Sequence, residues 1–120
     1  MQHRGLAHRD LKPDNVLLHS SIQESLEIRL ADFGFAAQIS RPKNDSKEVT
    51  MICGTSGYIA PEVLAGHGYS NKSDVFSIGS IMYALFTGNC LSGSRKLSEV
   101  FIDLNKKCEV NIKRDLKHLS

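Results

Sequence analysis

The chain has few of the features that mark secreted, membrane or metal-bound proteins. Its 120 residues contain no tryptophan and only three cysteines, none of them in a C-x-x-C pair. An odd number of widely spaced cysteines favours free thiols in a reducing compartment over a disulfide framework. No apolar run is long enough to span a bilayer, and no stretch resembles a signal peptide. We therefore expect a cytoplasmic protein with no membrane partner.

The charge balance gives equally little reason to expect a nucleic-acid partner. Fifteen Lys and Arg residues face 13 Asp and Glu residues, which leaves a net charge of +2. A basic footprint for nucleic acid needs a much stronger excess of positive charge. The hydrophobic content of 41% and the charged content of 23% are ordinary for a globular protein. The length fits one domain at most.

Three short motifs follow one another in order along the chain. His-Arg-Asp-Leu-Lys-Pro-Asp-Asn occupies residues 8–15, Asp-Phe-Gly occupies residues 32–34, and Ala-Pro-Glu occupies residues 60–62. Taken singly, each reads as a surface ion pair or a turn. Taken together, their order and spacing resemble the catalytic loop, the metal-binding turn and the end of the activation segment of eukaryotic protein kinases.

Two positions indicate the serine/threonine type. Lys12 matches the serine/threonine pattern, whereas tyrosine kinases place Ala or Arg near that position of the loop. Thr55 lies in the run Gly-Thr-Ser-Gly-Tyr-Ile-Ala-Pro-Glu at residues 54–62, which with the later Gly-Tyr-Ser-Asn-Lys-Ser-Asp-Val is most like the calcium/calmodulin-dependent kinase group. Small-molecule phosphotransferases share the His-x-Asp-x-x-x-x-Asn frame, but Lys12-Pro13 and Gly54-Thr55 favour a protein kinase.

The resemblance implies a role for each polar residue of these motifs, with ATP and Mg²⁺ as cofactors and a protein Ser or Thr hydroxyl as substrate. Phosphoryl transfer needs positioning and charge neutralisation more than covalent chemistry. Asp10 would orient the attacking hydroxyl and accept its proton, and Lys12 would contact the transferring phosphate. Thr55 would bond to both. Mg²⁺ prefers hard oxygen ligands, so Asp32 would bridge the metal to the nucleotide phosphates and Asn15 would hold a second metal.

The resemblance also implies regulation through Arg9. In the family such an arginine often pairs with a phosphate on the activation segment. The usual phosphorylated position lies four residues before Thr55 and is Met51 here, which cannot be phosphorylated. We therefore expect a segment that is either constitutively ordered or regulated through the adjacent Thr50.

Three further residues have structural roles by the same resemblance. His8 supports the catalytic loop, and Asp74 bonds the backbone of that loop. A helix-terminus acid favoured by the helix dipole is an equally simple reading of Asp74. Glu62 pairs in the family with an arginine from a later region that this chain does not match.

The implied fold is α+β and mostly helical, the C-terminal lobe of a protein kinase with a small β-hairpin, a long activation segment and a buried central helix. Residues 1–120 would form a partial kinase domain, with the catalytic loop at 8–15, the metal-binding turn at 32–34, the activation segment at 32–62 and the central helix at about 74–87.

Sequence patterns agree with this outline. Residues 16–18 read as a short buried strand, and alternation over 26–30 predicts a second strand with one buried face, joined by a hairpin loop. Residues 35–52 read as a loop. The nearly continuous apolar run 75–86 predicts a helix buried on all sides, capped by Ser70 or Ser73 and ended by Gly88. Residues 97–104 predict an amphipathic helix.

The family's glycine-rich loop and strand lysine have no match in this chain. Two functions from different classes therefore remain open. One is a serine/threonine kinase of which this is a fragment. The other is a non-catalytic, pseudokinase-like half-domain that acts as an interaction module or is a relic.

Overall fold

A computed structural model describes residues 5–19, 27–39, 51–91 and 111–117. The elements within these ranges are strands β1 (Leu6–Ala7), β2 (Val16–His19), β3 (Glu27–Leu30) and β4 (Ala37–Gln38), and helices α1 (Pro61–Leu64), α2 (Asn71–Thr87) and α3 (111–115). A single 3₁₀ turn, Pro13–Asn15, precedes β2. Helices and two small antiparallel sheets together match the predicted α+β class.

The predicted hairpin is present, but it is not buried. β2 pairs antiparallel with β3, with Val16 opposite Leu30 and His19 opposite Glu27. Leu18 is 70% exposed and Ile28 is 65% exposed, so the prediction of a buried strand and of one buried face is wrong for the described structure. A two-stranded hairpin has no interior of its own, and its apolar residues are buried only when a further layer packs on it.

The second sheet has no counterpart among the features that the sequence predicts. β1 and β4 pair antiparallel, with Leu6 opposite Gln38 and Ala7 opposite Ala37. Strands of two residues are too short to show an alternating pattern, which is why the loop predicted over 35–52 includes residues 37–38. The pairing holds the start of the predicted activation segment against the residues that precede the catalytic loop. Residues 40–50, which include Thr50, lie outside the described residues, as does the helix predicted at 97–104.

Helix α2 begins and ends where its capping residues predict. The Ser70 hydroxyl accepts a hydrogen bond from the Lys72 amide (3.1 Å), and the Ser73 hydroxyl accepts one from the Ser70 amide (3.1 Å). This reciprocal arrangement is a capping box, and it uses both serines that the sequence offered. At the other end Gly88 has φ = 69°, the left-handed conformation in which glycine commonly terminates a helix.

The burial of α2 differs from the prediction. Its buried residues are Ser73, Ser77, Ser80, Ile81 and Tyr83. The exposed face consists of apolar side chains, namely Val75, Ile78, Met82, Leu85 and Phe86. The helix is therefore buried on one side only, and a largely serine face is turned inward. Small hydroxyl side chains let the helix approach neighbouring backbone closely, as when the Ser77 hydroxyl donates to the Tyr58 carbonyl (2.7 Å).

Two apolar clusters lie beside α2 and share partly buried residues. Ile59, Ala60 and Val63 form the first, with Leu64, Tyr69 and Phe76 packed against it. Tyr83 and Leu91 form the second, and Phe76 packs against both clusters. α3 is attached near the second cluster, because the Asn111 side chain donates to the Leu91 carbonyl (2.8 Å). Among the described helices, none has the length and apolar character needed to cross a membrane.

Candidate active site

Asp74 holds the catalytic loop by its backbone. One carboxylate oxygen accepts a hydrogen bond from the His8 amide (2.8 Å), and the other accepts one from the Arg9 amide (3.1 Å). Arg9 has φ = 67°, a left-handed conformation that costs an ordinary residue about 1–2 kcal/mol. Hydrogen bonds to a carboxylate are strong enough to offset that cost. The predicted contact between Asp74 and the loop is confirmed.

His8 joins the catalytic loop to the Asp-Phe-Gly turn. The ring is completely buried, its Nε2 lies 3.0 Å from the Ala31 carbonyl, and its Nδ1 lies 3.4 Å from the Asp10 amide. A carbonyl can only accept and an amide N–H can only donate, so the ring carries its proton on Nε2. The ring of Phe33 packs against it with centroids 5.0 Å apart. The predicted structural role of His8 agrees with these contacts.

Asp10, Lys12 and Thr55 form one hydrogen-bonded triangle. The Thr55 hydroxyl donates to Asp10 Oδ1 (2.6 Å), while Lys12 Nζ lies 3.1 Å from Thr55 Oγ1 and 3.2 Å from Asp10 Oδ2. Asp10 is only 5% exposed, so its carboxylate depends on the charge of Lys12 and on the hydrogen bond from Thr55 for stabilisation. The contacts predicted for Thr55 are present. The arrangement places an acceptor, a cation and a hydroxyl within one hydrogen-bonded group.

Asn15 is fixed from two sides. Its side-chain nitrogen donates to the Asp10 carbonyl (2.9 Å) and lies 3.5 Å from Asp10 Oδ2. Its own backbone carbonyl accepts from the Ala31 amide (2.9 Å), the residue just before Asp32. The amide nitrogen is therefore committed to Asp10, and the side-chain oxygen is the atom available to a metal.

Asp32 begins the turn that follows β3. It has φ = 56°, and its Oδ1 accepts a hydrogen bond from the Gly34 amide (3.1 Å). The carboxylate is exposed and so keeps oxygen atoms for a ligand. Within the described ranges no three His, Cys, Asp or Glu residues gather into a metal-binding cluster. Mg²⁺ needs no such cluster, since one or two carboxylates, waters and substrate phosphates satisfy it. The carboxylate of Asp32 and the amide oxygen of Asn15 fit Mg²⁺.

Contacts of Arg9 and of Glu62 near the site were not predicted. The guanidinium of Arg9, assigned by sequence to a phosphate, donates from Nε to the Phe35 carbonyl (2.5 Å) and lies over the ring of Tyr69. Tyr69 belongs to the run at residues 68–75 that resembles the calcium/calmodulin-dependent kinase group, but nothing in that run predicts a contact with Arg9. Glu62, assigned to an absent arginine, accepts a hydrogen bond from the Ser73 hydroxyl (3.1 Å). Ser73 therefore caps α2 and also forms a hydrogen bond with the glutamate of the Ala-Pro-Glu motif.

Comparison with known proteins shows the family to which the chain belongs. The family profile described as the protein kinase domain matches residues 1–119. The chain belongs to the protein kinase family. Its relatives are serine/threonine kinases, as Lys12 and Thr55 predict. This kinase chain is 39% identical over 88 residues to human serine/threonine-protein kinase DCLK3, an alignment that covers 73% of the chain and 13% of that protein.

Two rice proteins, from Oryza sativa subsp. japonica, are also similar. The chain is 46% identical over 86 residues to the putative CBL-interacting protein kinase 27 (71% of the chain, 20% of that protein). It is 37% identical over 120 residues to CBL-interacting protein kinase 26 (97% of the chain, 23% of that protein). These kinases support the predicted subgroup. The kinase chain spans less than a quarter of the length of each of these three relatives.

Proposed function

We propose that this kinase chain carries the catalytic residues for ATP-dependent phosphoryl transfer to Ser and Thr hydroxyls of protein substrates. The single observation that supports this most is the triangle of Asp10, Lys12 and Thr55, whose distances all lie between 2.6 and 3.2 Å. Asp74 and His8 hold the backbone of the loop, while these contacts bring a carboxylate, a cation and a hydroxyl together. A buried carboxylate beside a cation is suited to proton transfer and charge neutralisation.

Asp10 acts as the acceptor for the substrate hydroxyl. Its two oxygens have different partners, Thr55 on Oδ1 and Lys12 on Oδ2. A substrate hydroxyl that reaches the carboxylate would be oriented by it and would give up its proton to it as the bond to the terminal phosphorus of ATP forms and the bond from that phosphorus to ADP breaks. Lys12 meets the negative charge that develops on the transferring group. Thr55 holds both side chains in the geometry that this step requires.

Asn15 and Asp32 would hold Mg²⁺ with ATP. When bound, Mg²⁺ neutralises charge on the nucleotide phosphates. The contribution of the chain is to fix the ligands in advance: Asp10 takes the amide nitrogen of Asn15, and the amide of Gly34 takes one oxygen of Asp32. Ligands held in this way lose little conformational freedom when the metal and nucleotide arrive.

The test is phosphorylation of a serine peptide by the full chain with MgATP, compared with Asp10→Asn. We expect the substitution to reduce the rate by about 10²- to 10⁴-fold, the usual contribution of a general base. Asp14→Asn is the matched control, because Asp14 is an exposed acid of the same loop and should leave the maximal rate unchanged. Equal rates for Asp10→Asn and Asp14→Asn would contradict the proposal.

One observation favours the second candidate, a half-domain that binds a partner. The hairpin exposes Leu18 and Ile28, and α2 exposes Leu85 and Phe86. Large exposed apolar side chains that lie together on one element are typical of interaction sites. The two candidates are separated by the size of the native polypeptide, read by immunoblot with peptide mass mapping. A species much larger than 13.3 kDa favours a complete kinase, and a species of 13.3 kDa favours the half-domain.

A further inference from the structure

The hydroxyl of Tyr69 binds both backbone groups of a single residue. It donates to the Cys53 carbonyl and accepts a hydrogen bond from the Cys53 amide (3.0 Å). Cys53 itself is buried, so these backbone groups have little access to water. A side chain that satisfies the donor and the acceptor of one buried residue fixes the position and the orientation of that peptide.

The ring of the same tyrosine supports the guanidinium of Arg9. The Arg9 Cζ lies 5.4 Å from the ring centroid, within the range of a cation–π interaction. Arg9 also donates to the Phe35 carbonyl (2.5 Å), at the start of the activation segment. Tyr69 therefore touches the end of the segment through its hydroxyl and the catalytic loop through its ring.

Gly54 brings the segment into direct contact with the catalytic loop. It has φ = 108°, and a Cβ placed there would lie only 2.7 Å from the Arg9 carbonyl oxygen. Only glycine permits so close an approach of the two backbones. The next residue, Thr55, donates to Asp10 (2.6 Å). Three successive residues of the segment are thus placed by Tyr69, by the Arg9 backbone and by Asp10.

We propose that Tyr69 is a positioning residue, which fixes the Cys53 peptide against Arg9 and so sets Thr55 in place against Asp10. The contacts come from Tyr69, from the backbone of Arg9 and from Asp10. The residue at the usual phosphorylation position, Met51, is 63% exposed and makes none of these contacts. Burial raises the pKa of Tyr69 to about 12, so the hydroxyl keeps the proton that it donates throughout the neutral range. The effect of Tyr69 on turnover rests on the proposed function, but its effect on residues 53–55 does not.

The first test is amide hydrogen exchange of the full chain. Tyr69→Phe keeps the ring over Arg9 and removes both hydrogen bonds to Cys53. We expect exchange of the amides of residues 53–55 to become about tenfold faster, with the amides of the β2–β3 hairpin unchanged. Tyr83→Phe is the matched control, because Tyr83 is a buried tyrosine of α2 whose hydroxyl bonds Asp115 and not Cys53. Equal exchange at residues 53–55 in Tyr69→Phe and Tyr83→Phe would overturn the proposal, as would a uniform increase over the whole chain.

The second test is the split between turnover and substrate binding. Tyr69→Phe should lower kcat about tenfold and leave KM for ATP within about twofold, while Tyr69→Leu, which also removes the ring, should lower kcat further. A rise in KM for ATP with unchanged kcat would overturn the positioning role. If the wild-type chain transfers no phosphate while Tyr69→Phe still loosens residues 53–55 alone, the proposed function fails and the positioning of the segment by Tyr69 stands.

Discussion

Thr55 donates a hydrogen bond of 2.6 Å to Asp10 although 45 positions separate them in the chain. The bond joins the last part of the activation segment to the catalytic loop. It can form only when both segments are in place, since each is attached elsewhere: the loop to Asp74, and the segment to Tyr69. The bond is therefore present only when the site is assembled, and substitution of Thr55 tests that assembly directly.

Replacing Thr55 with Val removes the hydroxyl and keeps the shape. Asp10 then loses a hydrogen-bond donor, and Lys12 loses its contact with the Thr55 hydroxyl. We expect the rate of peptide phosphorylation at saturating MgATP to fall by about 10- to 100-fold, in line with the loss of a hydrogen bond to a charged group. Thr55→Ser retains the hydroxyl and should retain most of the rate. A Val variant as fast as the Ser variant would show that the hydroxyl is not used.

Asp74→Asn should weaken the attachment of the catalytic loop. Both carboxylate oxygens accept backbone hydrogen bonds, and an amide has only one oxygen to accept with. One amide, of His8 or of Arg9, would then face an N–H group. We expect the free energy of unfolding to fall by about 1–3 kcal/mol in urea titrations. The exposed Asp14→Asn should change it by less than about 0.5 kcal/mol, and equal effects of the two variants would contradict the account.

Two serines on the buried face of α2 should respond in opposite directions. The Ser77 hydroxyl donates to the Tyr58 carbonyl, so Ser77→Ala should cost about 1 kcal/mol of unfolding free energy. The Ser80 hydroxyl is fully buried and has no hydrogen-bond partner within the described structure. Ser80→Ala removes an unsatisfied polar group and should stabilise the chain by about 1 kcal/mol. Thermal unfolding of the two variants measures both effects, and a destabilised Ser80→Ala would show that its hydroxyl is satisfied.

The attachment of α3 should weaken in acid. Hydrogen bonds from Arg114, and then from Tyr83, lower the pKa of Asp115 from 3.8 to about 2. A group whose pKa is lower in the folded state stabilises the fold above its unfolded pKa and loses that contribution as the pH falls through its folded pKa. The stabilisation should therefore be complete above about pH 4 and decline between pH 4 and pH 2. The difference in unfolding free energy between the wild-type chain and Asp115→Asn measures it, and a difference independent of pH over that interval would contradict this assignment.

The features that the sequence predicted correctly are those that depend on short motifs or on residues close together in the chain. The contacts of Asp10, Lys12 and Thr55 followed from motifs whose spacing is typical of one family. The ends of α2 followed from Ser70 and Gly88, because capping depends on a few neighbouring residues. The presence of the β2–β3 hairpin followed from the alternating pattern over 26–30, because a period of two is a local property.

Contacts set by tertiary packing were not predictable in this way. Tyr69 forms hydrogen bonds with the backbone of Cys53, 16 positions away in the chain. No local pattern near either residue predicts this contact. The apolar residues of α2 predicted burial on all sides, yet Leu85 is 76% exposed while Ser80 is fully buried. Periodicity shows which residues share a face of a helix, and it does not show which face meets the rest of the protein.

The most direct test of the central claim is a double-variant cycle on Asp10 and Thr55, measured as the rate of phosphate transfer from MgATP to a serine peptide. If the two residues form one catalytic unit, Asp10→Asn combined with Thr55→Val should be no slower than Asp10→Asn alone, because the hydroxyl acts through the carboxylate. Losses that simply multiply, or a wild-type chain that transfers no phosphate, would contradict the account of this triangle as a phosphoryl-transfer site.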